Sequence, residues 1–221
     1  MGAPGPAYVG TGESETHNHI NIQSDGISLY ERHEGGPRSR ALGTAVHTLL
    51  EELSKLRTAN DWQTARAALP QFTPRINANI RAVGIPSSHA DEIAASALDL
   101  AIKCSHDPIG QWILSPRAEA ASELRFTGVV SGSLRTIQVD RLFRAGHTPL
   151  TEGEDAWWII DYKTAHSDNF NPVPFLPELR SLFAPQLQSY AAILRNLRGK
   201  DAIVRAGLYY PRMSAFDWWV I

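Results

Sequence analysis

At about residue 118 the hydrophobic pattern of the chain changes period, and this change constrains the fold more than any other feature. Before it, apolar residues recur at helical spacing. Leu42, Val46, Leu49, Leu50, Leu53 and Leu56 form a stripe along one side of a helix from Leu42 to Leu56. Asp61 is placed to cap a second helix that runs to Leu69. Thr73-Pro74 reads as an N-cap followed by a first-turn proline for a third helix, which Gly84 stops. A fourth starts at Ser87 or Ser88 and runs to about Cys104, and Asp107-Pro108 repeats the cap-plus-proline signal for a short helix through Trp112.

After residue 118 the residues alternate. SELRFTGVV, SLRTIQVDRLFRA and AWWIIDYKT read as three strands, the last opening with the continuous apolar run of a buried central strand. Pro172, Pro174, Pro177 and Pro185 mark a loop after Thr164. A helix is expected from near Pro185 to about Leu197, closed by Gly199. AIVRAGLYY is a further strand, and FDWWVI another that pairs back through PRMSA. The order predicts an α/β fold, a mixed central β-sheet flanked by helices with an N-terminal helical segment. Residues 1–36 read as an irregular lead-in or tail. Residues 37–221 read as a single domain, helical over about 37–115, with its sheet core over about 118–221.

Composition narrows the chemistry. Lys plus Arg is 21 against 23 for Asp plus Glu, so a strongly basic nucleic-acid binder is not indicated. A pocket of carboxylates with a local basic rim is compatible with that balance. One cysteine, Cys104, excludes an intrachain disulfide and a four-cysteine zinc or iron–sulfur site, and it reads as structural. With no apolar run near the ~18 residues of a membrane span and no signal-peptide pattern, the reading is a cytoplasmic chain without membrane contact. No G-x-x-x-x-G-K-[ST], G-x-S-x-G or H-E-x-x-H occurs, so the chain holds no P-loop motor.

The sharpest candidate site is Ile160-Asp161-Tyr162-Lys163, where alternation puts Asp161 and Lys163 on one side of a strand end. A carboxylate there binds a hard cation, while the ammonium holds the attacking water or offsets phosphate charge. D-x-K alone is also what a surface ion pair looks like. Asp140, in IQVDRL on the preceding strand, adds a second carboxylate, and two that converge repel unless a cation lies between them. Its plain alternative is a salt bridge to Arg141 or Arg144. His47 lies at the edge of the first helix's apolar stripe, and Gly43 four residues earlier lets another backbone approach, so the imidazole can look inward and complete a mixed metal shell. Glu123 in SELRF is either an acid behind the metal ligands or an edge-strand charge. Gln186 and Tyr190 share a face of the late helix, suited to a phosphate or to orienting the lysine. Arg38, Arg40, Arg195, Arg198 and Lys200 are candidate phosphate contacts for DNA, or ordinary solvated and helix-terminal charges.

G-T-A-V-H, E-L-R-F, I-Q-V-D-R-L, I-I-D-Y-K-T and Q-L-Q-S-Y, in this order over residues from about 38 to 215, resemble the RecB/AddA-type nuclease domain, a branch of the PD-(D/E)XK superfamily. The resemblance implies a restriction-endonuclease-like core and an exonuclease-type, Mg²⁺-dependent (or Mn²⁺-dependent) deoxyribonuclease. It carries the metal-binding role to His47, Asp140, Asp161 and the backbone carbonyl of Tyr162. The catalytic lysine maps onto Lys163, and the last motif's glutamine and tyrosine onto Gln186 and Tyr190; Glu123 matches an acidic position. Relatives that carry an iron–sulfur cluster use four cysteines, so no such cluster is expected with Cys104 alone. The family normally sits at the C-terminal end of a UvrD-like helicase in bacterial double-strand break repair. The expected partners are therefore DNA, a helicase motor on the same parent polypeptide and a second helicase–nuclease subunit, this chain being the nuclease piece of that longer protein. The rival function is a catalytically silent DNA-binding or docking domain of the same fold in a repair complex.

Overall fold

A computed structural model of the chain describes residues 36–130, 132–164 and 176–221, together with the backbone of residues 23–24 and 27–28. The chain divides into two compact units, Met1–Glu34 and Gly35–Ile221. In the first, the described residues form a short antiparallel ladder between β1 (Gln23–Ser24) and β2 (Ile27–Ser28). Most of the expected lead-in over residues 1–36, and Pro172 and Pro174 of the expected loop, lie outside the described residues.

The second unit begins with helices. α1 (Pro37–Leu56) takes Pro37 in its first turn, so it starts ahead of the apolar stripe, and it buries Val46, Leu49, Leu50 and Leu53. α2 (Trp62–Ala68) is capped by the Asp61 carboxylate, which accepts from Thr64 N–H at 2.7 Å. A 3₁₀ turn over Leu69–Phe72 runs directly into α3 (Thr73–Ala82). Thr73 is therefore not an N-cap: its own backbone is already helical, φ −55° and ψ −41°, because the preceding turn supplies the entry. Gly84 ends the segment at φ +87°, a conformation that favours glycine. α4 (Ser87–Cys104) packs between α1 and α3, and α5 (Pro108–Leu114) is capped by Asp107.

A five-stranded mixed sheet follows, in the order β3 (Ala121–Val130), β4 (Ser133–Ala145), β5 (Ala156–Tyr162), β6 (Val204–Tyr210), β7 (Ala215–Val220). Only β5 and β6 run parallel; the other neighbours are antiparallel. A parallel pair needs a crossover, and α6 (Leu176–Arg198) supplies it. This helix starts well before Pro185, where the sequence pointed to a loop. Pro177 occupies its first turn, and Pro185 sits inside it. An interior proline costs about 3 kcal/mol in helix propensity. Burying Leu179, Phe183, Leu187, Ala191 and Leu194 along one stripe offsets that cost.

Every residue of β5 is buried, as its WWII opening requires of a central strand. Phe143, Trp158, Ile160, Tyr162 and Tyr209 share one core with α1–α5, while α6 packs on β3, β5 and β6. Arg141 is buried at the junction. It donates to the carbonyls of Ile113 and Ser115, each at 3.0 Å, and to Ser122 Oγ at 3.1 Å, tying the end of α5 to β3 and β4.

Candidate active site

The register of the sheet brings carboxylates into line. Ser122 pairs with Arg141 and Leu124 with Val139, which leaves Glu123 opposite Asp140. Arg141 pairs with Ile160, so the next residues, Asp140 and Asp161, also face each other across β4 and β5. Like charges opposite one another destabilise a ladder, and here the ladder is interrupted. Glu123 takes φ +51°, left-handed for a non-glycine residue, at a cost of order 1–3 kcal/mol. Tyr162 N–H donates to Asp140 Oδ2 at 2.7 Å, so a side chain stands where a strand carbonyl would.

His47 reaches this gap from α1. Its Nδ1 lies 3.6 Å from Glu123 Oε1 and 3.6 Å from Asp140 Oδ1. Its ring meets the Tyr162 ring edge-on at 5.4 Å. One turn earlier, a Cβ on Gly43 would stand 3.0 Å from Thr164 Oγ1, so the missing side chain lets α1 lie close to the end of β5. His47, Glu123 and Asp140 each offer one ligand atom, all within 4.8 Å of one another. Burial pulls the His47 pKa down, but Asp140, Glu123 and Asp161 together push it up to about 9. Burial raises Asp140, with the Asp161 and Glu123 charges adding to it against His47 and the Tyr162 N–H. For Glu123 the burial effect is outweighed by His47 and Gln138, and its pKa is lowered.

Asp161 and Lys163 stand beside this cluster, on the same side of β5. Lys163 Nζ is 2.5 Å from Asp161 Oδ2 and 3.8 Å from the centre of the Phe183 ring on α6. The pair is mostly withdrawn from water, with side chains 14% and 10% exposed. Glu123 Oε1 is buried yet receives no directed hydrogen bond, while Asp161 Oδ2 meets the Lys163 ammonium. An orphaned buried acceptor calls for an explanation. Carboxylate oxygens from two strands, with an imidazole nitrogen and with Asp161 beside them, make the mixed oxygen and nitrogen set that a divalent cation takes. The residues present therefore fit a metal.

The salt-bridge alternatives for Asp140 are not realised. Arg141 is engaged with carbonyls and Ser122, and Arg144 pairs with Glu119 and Glu154. Glu123 is a member of the tight cluster with His47 and Asp140. Gln186 Nε2 donates to Tyr190 Oη at 2.6 Å, and Gln186 shares a helical face with Phe183, three residues earlier, whose ring covers Lys163. Arg195 donates to the carbonyls of Ala202 and Ile221, while Arg198 pairs with Glu119 at 2.9 Å and lies over Trp157. Those two arginines brace the end of α6. Arg38 meets His89, Arg40 lines a groove between α1 and α3, and Lys200 is exposed. Burial raises the Cys104 thiol to about 12, which leaves it inert at neutral pH.

Residues 24–215 match the family model of the PD-(D/E)XK nuclease superfamily. The chain belongs to the PD-(D/E)XK nuclease superfamily, whose members are nucleases that use divalent metal ions. No curated protein matches the sequence significantly. Among solved structures, the crystal structure of SSO0001 is similar at 16% identity over 84% of this chain and 75% of that one, with a TM-score of 0.29. Among the described residues, no helix is long and apolar enough to cross a membrane.

Proposed function

We propose that the chain is an exonuclease-type deoxyribonuclease dependent on Mg²⁺ (or Mn²⁺), the nuclease part of a bacterial cytoplasmic helicase–nuclease that processes double-strand breaks. One observation carries the catalytic part. The His47–Glu123–Asp140 cluster stands beside the buried Asp161–Lys163 pair, with Glu123 Oε1 buried and without a hydrogen bond. The helicase context, the second subunit and the location rest on the sequence resemblance alone.

His47, Asp140 and Asp161 would hold the ion, with Glu123 as a further oxygen donor. Tyr162 N–H faces Asp140, and an extended residue's C=O leaves on the same side as its N–H, which supports the Tyr162 carbonyl as another ligand. The bound ion supplies Lewis-acid polarisation of the phosphate and a lowered pKa for the attacking water. Lys163, held between Asp161 and the Phe183 ring, places a positive charge where negative charge builds on the phosphate. Gln186 and Tyr190 extend that surface with neutral donors. Water oxygen bonds to phosphorus, the 3′ oxygen departs and takes up a proton, and a 5′-phosphate end remains. The Arg38, Arg40 and Lys200 side chains are the proposed outer phosphate contacts.

The test is cleavage of linear single-stranded DNA, duplex DNA and matched RNA with Mg²⁺, Mn²⁺ or EDTA, for wild type and Asp161→Ala. DNA cleavage that needs the ion and is absent in the variant supports the reading. A folded wild type that neither cuts nor binds metal points instead to the silent DNA-binding or docking domain.

A further inference from the structure

Glu123 occupies a strained position in an interrupted ladder, and something must fix which of its oxygens faces the cluster. The next two residues outward on the ribbon do so. Arg125 pairs directly with Gln138 across β3 and β4, and Gln138 is diagonal to Glu123. Arg125 Nε donates to Gln138 Oε1 at 3.0 Å, and Gln138 Nε2 donates to Glu123 Oε2. The direction of this chain is dictated by chemistry. A guanidinium has only donors, so Gln138 must turn its carbonyl oxygen to Arg125. Its NH₂ group then faces a carboxylate, which only accepts. Glu123 Oε2 is occupied, and Oε1 is left without a hydrogen bond, 3.6 Å from His47 Nδ1.

We propose that Arg125 and Gln138 are positioning residues: a one-way hydrogen-bond relay that holds Glu123 with Oε1 presented to the metal. The inference rests on the metal-dependent nuclease reading above. It gives Arg125 a role other than a phosphate contact, although its side chain lies on the exposed side of the ribbon. Partners behind metal ligands that orient them typically change metal affinity about 10- to 100-fold when removed.

The relay has a polarity, and the test uses it. Mn²⁺ binding to the DNA-free chain is measured by titration calorimetry for wild type, Arg125→Lys, Arg125→Ala, Arg125→Glu, Gln138→Leu and, as a reference for full loss of the ligand, Glu123→Gln. Arg125→Lys keeps a donor and should bind within about threefold of wild type. Arg125→Ala and Gln138→Leu should lose about 10-fold or more. Arg125→Glu should be the weakest of the Arg125 series, because an acceptor there draws the Gln138 NH₂ away and turns its carbonyl toward Glu123. For the Arg125 and Gln138 variants, metal-free thermal midpoints should stay within about 2 °C, since these two side chains are exposed. Equal Mn²⁺ affinities across the Arg125 series, with Glu123→Gln impaired, overturn the relay and leave the nuclease reading standing. A loss confined to the KM for DNA makes Arg125 a substrate contact and also overturns it. A wild type that binds no Mn²⁺ removes both.

Discussion

One cross-sheet row carries carboxylates at both ends. Glu123, Asp140 and Asp161 line up over β3, β4 and β5, and the row continues through Leu208 to Asp217 on β7. Asp161 and Asp217 are equally buried, each 7% exposed. Their partners differ. Arg180, on α6, closes both oxygens of Asp217 in a two-pronged fork, donates to Trp218 O at 3.3 Å and lies over the Trp219 ring. Asp217 is thereby a finished structural clamp between helix and sheet. At the other end Asp161 meets the single Lys163 ammonium through Oδ2, and Glu123 Oε1 is left without a directed donor. An unsatisfied buried acceptor costs about 1–3 kcal/mol. Burial alone therefore does not mark a functional acid; burial with an open valence does.

The largest separation of the two ends should come from Lys163→Ala. It should lower the cleavage rate at least about 100- to 1,000-fold, as loss of a preorganised charge at a reacting centre does, while far-ultraviolet circular dichroism stays that of wild type. A variant of unimpaired turnover would remove Lys163 from the chemistry.

His47→Ala comes next, with Mn²⁺ affinity reduced about 10- to 100-fold and a smaller change in thermal midpoint. The same residue predicts a pH dependence. Its pKa is raised to about 9 in the metal-free site, so below that pH it carries a proton which the metal must displace. Metal affinity should rise with pH up to about 9 and level off above it. Asp140, raised in the same direction, steepens the dependence on the acid side. Titrations at several pH values check this, and affinity that falls as pH rises would contradict it.

Asp217→Ala should do the reverse of His47→Ala. Removing one partner of a buried ion pair costs about 3–5 kcal/mol. The Arg180 side chain is 40% exposed, so solvent screening brings the expected loss to about 2 kcal/mol. Chemical denaturation should show that loss with Mn²⁺ affinity unchanged. A variant of full stability and weakened metal binding would erase the distinction between the two ends.

Much of the fold was legible because local chemistry and tertiary packing agree. The α4 boundaries, the Asp61 and Asp107 caps and the β3–β5 runs follow from caps, periodicity and apolar continuity. The start of α6 was not legible, because Pro177 and Pro185 are breakers by local rules and only burial on the sheet overrides them. Thr73 misled for a related reason: its cap signal is real, but the 3₁₀ turn before it already provides a helical entry. In the site, alternation was enough to put Asp161 and Lys163 side by side. The place of Glu123 in the cluster was not, since it depends on the β3–β4 register and a positive φ that no neighbouring residue announces. Arg195 and Arg198 looked like a basic patch in sequence, while their partners Ile221 and Glu119 are set only by the tertiary fold.

In the proposed site the metal is held by Glu123, Asp140 and Asp161 with His47, and not by Asp217, which Arg180 closes. The direct measurement is anomalous scattering from a crystal of the chain soaked in Mn²⁺. The predicted result is a peak bounded by His47, Glu123, Asp140 and Asp161. A peak elsewhere in the domain, or none at this cluster in an ordered, Mn²⁺-soaked crystal, would contradict it.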